Sequence, residues 1–301
     1  MDKRAAFIAS VAVLFGPVGA LAAEPRVLAP ISEWTLDYAD ERCSLIRDFG
    51  DDDETVRLQV DSFGSRFGYR VMITGDLVQA PAVVPITEVR VGYSPDTLER
   101  EQFYAMAGKS GDQKAVSFTS GFLPDVRTLD PSLSVPQPSL EQMKQLDRIN
   151  GEFARGVTHM TIQFGVRKPL QLATGSMAAP FTAMHRCVDD LVASWGLDPA
   201  QQRALSRRPL PHPETVREVE RNYPPTQAGR GLGAFVPVRV MVDEAGQATR
   251  CVVQVAVVDE AFRESACKGL SGSYEPALDA EGRPVASVFQ VSTIYQVASF
   301  R

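Results

Sequence analysis

Short segments in the first half of the chain alternate apolar and polar residues with a period of two. The clearest are residues 56–60, 69–73 and 88–92, and residues 115–122 and 158–164 are further candidates. Such alternation predicts strands that bury one face, and closely spaced strands of this kind favour antiparallel pairing. The first half is therefore expected to contain a mainly antiparallel sheet.

Two later segments repeat apolar residues at the spacing of a helix. The first follows Ser139, a good N-cap, and the second ends at Gly196. Their predicted buried faces carry Met143, Leu146, Ile149 and Phe153 in the first, and Phe181, Met184, Val188, Leu191, Val192 and Trp195 in the second. Residues 31–198 are thus predicted to form an α+β domain in which two helices cover the sheet. No family resemblance fixes its function.

The last third of the chain predicts a smaller strand-rich unit. Every second residue of 236–242 is valine, a turn spans 243–246, and residues 249–258 return as a second strand. A short helix with apolar residues spaced by four spans 262–270, and a third strand is predicted over 285–297. Residues 199–215, with several arginines and prolines, are read as a helical tail followed by an extended linker.

Spaced features of residues 216–301 carry a family resemblance. They are Tyr223-Pro224, an Ala-Gly stretch, alternating valines, a turn closing at Gly246, a cysteine pair, and the Glu-Pro-Ala before Asp279. Together they resemble the C-terminal domain of the TonB energy-transducer family. The resemblance implies a module that binds partners and performs no chemistry, with a link to TonB-dependent transmembrane transport.

In that family the last strand is an edge that accepts an extended peptide, in which backbone hydrogen bonds supply affinity. The resemblance therefore implies an outer-membrane receptor or another envelope protein as partner. The corresponding edge residues are Val288, Phe289, Gln290, Val291, Ser292, Thr293, Ile294 and Tyr295. The alternative is that the first domain, or a second copy of the chain in a homodimer, covers this edge.

The N-terminus has the pattern of a secretory signal. Lys3 and Arg4 precede an apolar run over 5–15, and Ala20-Leu21-Ala22 supplies a small-residue cleavage site. We predict a signal peptide over 1–22 and a periplasmic protein. The alternative is a retained inner-membrane anchor facing the periplasm, and membrane association is expected only in that case. A standard transducer joins its anchor to the terminal domain by a Pro-rich spacer, whereas this chain has a folded domain there. Binding is therefore a better expectation than energy transduction.

Four cysteines follow this segment, and an even count in an exported chain favours disulfides. Cys251 lies on the apolar face of a strand and Cys267 on the helix after it, so a helix packed on that strand brings them together. Cys43 and Cys187 then pair within the first domain. Free buried thiols are the alternative.

The net charge and the absence of common motifs in the sequence argue against several classes of function. The formal net charge of −6 argues against nucleic-acid binding, which needs clustered Lys and Arg. The sequence carries none of the common hydrolase, metalloprotease, phosphate-loop or dinucleotide motifs, so we assign no catalytic, cofactor-binding or metal-binding residue. His185 is interpreted as a partly buried structural residue. The alternative function is an envelope enzyme with its site in the first domain and the TonB-like module as a targeting unit.

Overall fold

A computed structural model describes residues 24–66, 68–78, 86–94, 101–120, 139–164, 168–255 and 258–295. The predicted signal peptide over 1–22 lies outside these residues, as do the last residues of the predicted third strand of the terminal unit. The described residues form a mixed α+β protein with largely antiparallel sheets, which confirms the predicted fold class.

The first half of the protein is built on one ten-stranded sheet. Its strands are β1 (Arg26–Leu28), β2 (Thr35–Ala39), β3 (Arg42–Gly50), β4 (Thr55–Ser62), β5 (Tyr69–Gly75), β6 (Ile86–Ser94), β7 (Glu101–Ser110), β8 (Gln113–Ser120), β9 (His159–Phe164) and β10 (Leu170–Leu172). Their order is β1-β10-β9-β6-β7-β8-β5-β4-β3-β2, and every pairing is antiparallel except that of β1 with β10. The five segments predicted as strands correspond to β4, β5, β6, β8 and β9, and residues 121–122 of the fourth segment lie outside the described residues.

Two helices belong to this sheet, α1 (Leu140–Gly156) and α2 (Ala178–Ser194). Ser139 caps α1 as predicted, because its hydroxyl accepts from the Gln142 amide and the Gln142 side chain accepts from the Ser139 amide. Gly196 follows α2 with φ of 84°, a conformation that glycine adopts without strain. The apolar side of α2 joins the core of the sheet, where the Cys43–Cys187 disulfide links β3 to the helix.

The segment predicted as a linker is ordered against the terminal unit. It contains α3 (Pro199–Arg203) and β11 (Leu210–Pro211), which pairs with β14 (Tyr274–Glu275). The Ser206 hydroxyl also donates to the Asp279 carbonyl at 2.5 Å. Residues 205–211 are therefore part of the terminal unit's packing.

The terminal unit contains a three-stranded antiparallel sheet. The remaining elements are α4 (Pro213–Arg221), α5 (Pro225–Gly229), β12 (Ala234–Val242), β13 (Ala248–Val253), α6 (Glu260–Leu270), β15 (Ala277–Leu278), β16 (Pro284–Val285) and β17 (Ser287–Tyr295). The order β13-β12-β17 places the predicted hairpin and the last strand together. All four predicted valines of β12 are buried, and Phe262, Ala266 and Leu270 of α6 cover them. Cys251 is bonded to Cys267, as predicted, so α6 is fixed to β13.

Candidate functional site

Strand β17 is an outer strand of the terminal sheet and holds all eight residues of the predicted binding edge. It runs antiparallel to β12, with Val291 opposite Val238 and Gln290 opposite Arg239. Among the described residues, β12 is the strand with which β17 pairs. The other long side of β17 is therefore the side on which a further strand could be added.

The register shows which backbone groups of β17 turn to that open side. The Gln254 amide donates to the Pro237 carbonyl at 2.9 Å, so odd-numbered residues of β12 direct their backbone groups toward β13. Even-numbered residues of β12 direct theirs toward β17, and their partners there are odd-numbered, as in Val238 with Val291. The backbone groups that turn outward consequently belong to Val288, Gln290, Ser292 and Ile294.

The odd-numbered side chains of β17 face the core of the terminal unit. Tyr295 is buried, and its ring centroid lies 5.0 Å from that of Phe262 and 5.4 Å from that of Tyr223. Phe289 lies 5.3 Å from Tyr274 by the same measure. This side of the sheet is thus filled by side chains of its own unit.

The opposite face of the sheet contacts the first domain through a buried ion pair. The Arg239 side chain is 2% exposed, and it donates to both carboxylate oxygens of Glu41 at 2.9 and 2.6 Å. Glu41 lies in the turn between β2 and β3. The Arg239 guanidinium also lies 4.4 Å from the ring centroid of Trp195, a cation–π distance. These contacts fix the terminal sheet to the first domain.

Two glutamines extend this contact between the terminal sheet and the first domain. Gln254 donates to the carbonyls of Glu41 and Phe63, and Gln290 also donates to the Phe63 carbonyl. The first domain therefore contacts the β17 face as far as Gln290.

The far end of β17 lies beyond these contacts. Ser292 is exposed, and Ile294 is 52% exposed although it is a large apolar residue. Both belong to the outward-facing set defined by the register. The open side and the exposed end of the strand therefore coincide at Ser292 and Ile294.

A second region of interest lies in the first domain, where the structure brings together residues that are distant in sequence. Arg66 and Tyr69 come from the β4–β5 hairpin, Asp147 from α1 and His185 from α2, and all four line one cleft. The Tyr69 hydroxyl lies 3.2 Å from His185 Nε2. Burial, with a smaller contribution from Arg66, lowers the pKa of His185 to about 4, so its imidazole is neutral at pH 7.

The described residues of the cleft do not include a nucleophile that is hydrogen-bonded to a base. Thr182 also lines it, but its hydroxyl donates to the Ala178 carbonyl at 2.8 Å instead of to His185. Among the described residues no Ser, Thr or Cys donates to the imidazole, and no group of three or more His, Cys, Asp and Glu side chains is placed to hold a metal ion.

All four cysteines are in disulfides, which indicates an oxidising compartment outside the cytoplasm. Within the described part of the chain, no helix has the length and apolar character needed to cross a membrane.

Comparison of the chain with family models, curated proteins and solved structures found no match. The likeness to the TonB C-terminal domain stays a prediction from the spaced residues.

The sequence predicted the last strand of the terminal sheet but not the groups that join the two halves of the protein. In the alternating pattern of β12, Arg239 falls on the face opposite the valines, and no neighbouring residue indicates its partner. The available signal was a charged residue in the middle of an otherwise apolar strand, and such a residue, when buried, requires a partner of opposite charge. Neither Glu41 nor Trp195 carries a local pattern that points to Arg239.

Proposed function

We propose that this protein is exported to the periplasm and binds an extended peptide of an envelope or outer-membrane receptor protein by strand addition at β17. The observation that carries the proposal is the outward orientation of the backbone groups of Val288, Gln290, Ser292 and Ile294 on an outer strand. An added strand pairs with such groups and gains affinity from main-chain hydrogen bonds.

The exposed end of β17 favours an amphipathic peptide. Ile294 offers apolar surface next to the outward backbone groups, and Ser292 leaves room beside it. Alternate side chains of an added strand point to the same face, so one apolar residue of the peptide can lie on Ile294. The disulfides agree with an oxidising envelope compartment.

The variant that tests the proposal is Ser292→Pro. The Ser292 amide points away from β12, so proline removes an outward donor and leaves the β12 ladder intact, as it does on natural edge strands. Proline at Val291 is unsuitable, because that amide points to Val238 and its loss would disrupt the sheet itself. Ser292→Ala is the matched control, since it removes the hydroxyl and keeps the amide.

We would first use the full chain to capture partners from an envelope extract and identify the bound protein by mass spectrometry. Ser292→Pro should lose that protein and Ser292→Ala should retain it. Capture that is unaffected by the proline would contradict the proposal.

Hydrogen exchange then measures the protection of each backbone amide along β17. Addition of the purified partner should slow exchange of the amides of Val288, Gln290, Ser292 and Ile294, whereas the inward amides between them are protected already. If the same four amides become protected with rising protein concentration alone, the strand pairs with a second copy of the chain. Uniform protection, or none, would contradict strand addition.

A further inference from the structure

The cleft between α1, α2 and the β4–β5 hairpin has the size of a small-molecule site. Its volume is about 320 Å³, within the range of roughly 300–1,000 Å³ that is typical of ligand pockets. Three separate chain segments build it, so its shape depends on the tertiary fold. It lies in the first domain, and two of its lining residues, Arg66 and Asp147, also line an adjoining cavity that reaches Val288 and Gln290 of β17.

Two guanidinium groups and one carboxylate are the charged groups among the described residues that line the cleft: Arg66, Arg155 and Asp147. Arg155 is in the last turn of α1, and its Nη1 lies 3.9 Å from the position that a Cβ on Gly151 would occupy. The guanidinium therefore folds back along the helix toward this glycine, which also lines the cleft. The charge of these groups favours an anion.

Arg66 retains donor capacity inside the protein. Its Nε is buried and has no hydrogen-bond partner among the described residues. Its Nη2 lies 3.5 Å from Asp189, but the other oxygen of Asp189 accepts a shorter contact of 2.7 Å from Arg203. A buried donor without an acceptor is costly, and an oxyanion is the acceptor that a guanidinium binds best.

Asp147 does not offset this preference fully. Burial raises the pKa of its carboxyl, and Arg66 and Arg203 act in the opposite direction. Burial therefore disfavours the charged form of this carboxyl. The amide of Asn150, on the same helix, supplies another polar group to the cleft.

Aromatic rings form another part of the cleft wall. The rings of Tyr69 and Phe181 lie 5.2 Å apart between centroids, and the neutral His185 ring lies 6.4 Å from Phe181. Ala154 and Ala178 add small apolar surfaces. Such walls suit a planar ring, because stacked or tilted aromatic pairs are favourable at these separations.

From the unsatisfied Arg66 donor, the second guanidinium and the aromatic wall, we propose that the cleft binds a small ligand that joins an oxyanion head group to a planar apolar body. The head group, a carboxylate or a phosphate, lies between Arg66 and Arg155. The planar body packs on Tyr69 and Phe181. This inference does not depend on strand addition at β17.

Isothermal titration of the full chain tests it with three probes of one shape: benzoate, phenyl phosphate and the uncharged benzyl alcohol. We expect at least one of the two anions to bind at one site per chain, and to bind more tightly than benzyl alcohol. The better anion identifies the head group. Failure of both anions to bind at about 10 mM, or equal binding of benzyl alcohol, would overturn the proposal.

Gly151 allows the cleft to be filled from within a helix. Gly151→Leu adds a side chain where the nearest atom to a Cβ is the end of a flexible arginine, and it replaces a poor helix former by a good one. This variant should weaken binding of the anion by at least about tenfold, because the added side chain fills the cleft. Gly156→Leu makes the same change at the end of α1, where nothing lies within 4 Å of a Cβ, and should leave affinity unchanged.

Arg155→Gln tests the contribution of the guanidinium charge to binding while it changes the shape of the cleft little. Loss of one charge-assisted hydrogen bond should reduce affinity for the anion by about tenfold or more, and leave any weak binding of benzyl alcohol unchanged. Circular dichroism and the urea midpoint confirm that each variant is folded. Unaltered anion binding in Gly151→Leu or in Arg155→Gln would refute the assignment of the cleft.

Discussion

Replacing Arg239 by methionine removes the positive half of the ion pair that joins the terminal sheet to the first domain. The methionine fills a similar volume, so the change tests charge more than packing. It leaves the Glu41 carboxylate, which is 22% exposed, without its two hydrogen bonds. It also removes the guanidinium that lies over Trp195.

The expected loss of stability follows from the burial of both partners, since the side chains of Arg239 and Glu41 are 2% and 22% exposed. Removing one partner of a buried pair costs about 3–5 kcal/mol, because the other charge is left uncompensated. Glu41 keeps some contact with solvent, so we expect the lower end, a loss of about 3 kcal/mol in the free energy of unfolding. Glu41→Gln should cost a similar amount. In the double variant neither charge remains, and its loss should be smaller than the sum of the single losses by about 2 kcal/mol.

Urea unfolding followed by tryptophan fluorescence measures these values. The chain has two tryptophans, so a Trp34→Phe background leaves Trp195, which touches Arg239, as the reporter. The ion pair of Arg57 and Asp48 is the matched control, because it has the same two-bond geometry, at 2.7 and 2.9 Å, and its side chains are 53% and 29% exposed. Its removal should cost less than about 1 kcal/mol. Strict additivity of the Arg239 and Glu41 variants would show that this reasoning is wrong.

Two further predictions concern the disulfides and pH. Replacing Cys251 and Cys267 by serine opens a loop of 16 residues and should lower the free energy of unfolding by about 3 kcal/mol on the chain-entropy model. The same change at Cys43 and Cys187, 144 residues apart, should cost about 5 kcal/mol, and a larger loss from the short loop in urea titrations would contradict the model. The folded-state pKa of His185 lies near 4, below its ordinary value of 6.5, so the unfolded chain binds more protons between these pH values and stability falls as pH drops from 6.5 to 4. His185→Gln should flatten that part of the stability curve, and an unchanged slope would refute the assignment.

Local patterns predicted the elements in which apolar residues alternate with polar ones. Val56, Leu58 and Val60 of β4 alternate because they pack on the core, although Gln59 and Asp61 on the other face are buried as well. The capping residues of α1 stand beside it in the sequence. The disulfide of the terminal unit was also predictable, because the strand and the helix that carry it are neighbours in the chain. Strand β7, in contrast, has no such alternation, and its position between β6 and β8 follows from pairing in the sheet.

The candidate sites depend on contacts that no local pattern encodes. Arg239 and Glu41 are 198 residues apart, and the Tyr69 hydroxyl meets His185 across 116 residues. Their meeting depends on how the helices and the terminal sheet pack, which is a property of the whole fold. From the sequence alone, a polar residue at such a position is predicted to be exposed to solvent.

The packing of the described residues covers both faces of the terminal sheet more than its β17 edge. One face is covered by α6 and by the rings around Tyr295, and the other meets the first domain through Arg239 and Gln290. Strand β13 has six residues and is tied to α6 by its disulfide, whereas β17 has nine residues and alternate outward backbone groups along its length. A peptide that pairs with β17 displaces none of the interdomain contacts, since those use side chains and the peptide uses the backbone. Binding at the edge should therefore leave the Arg239–Glu41 pair intact, and the fluorescence of Trp195 should stay unchanged when a partner strand is added.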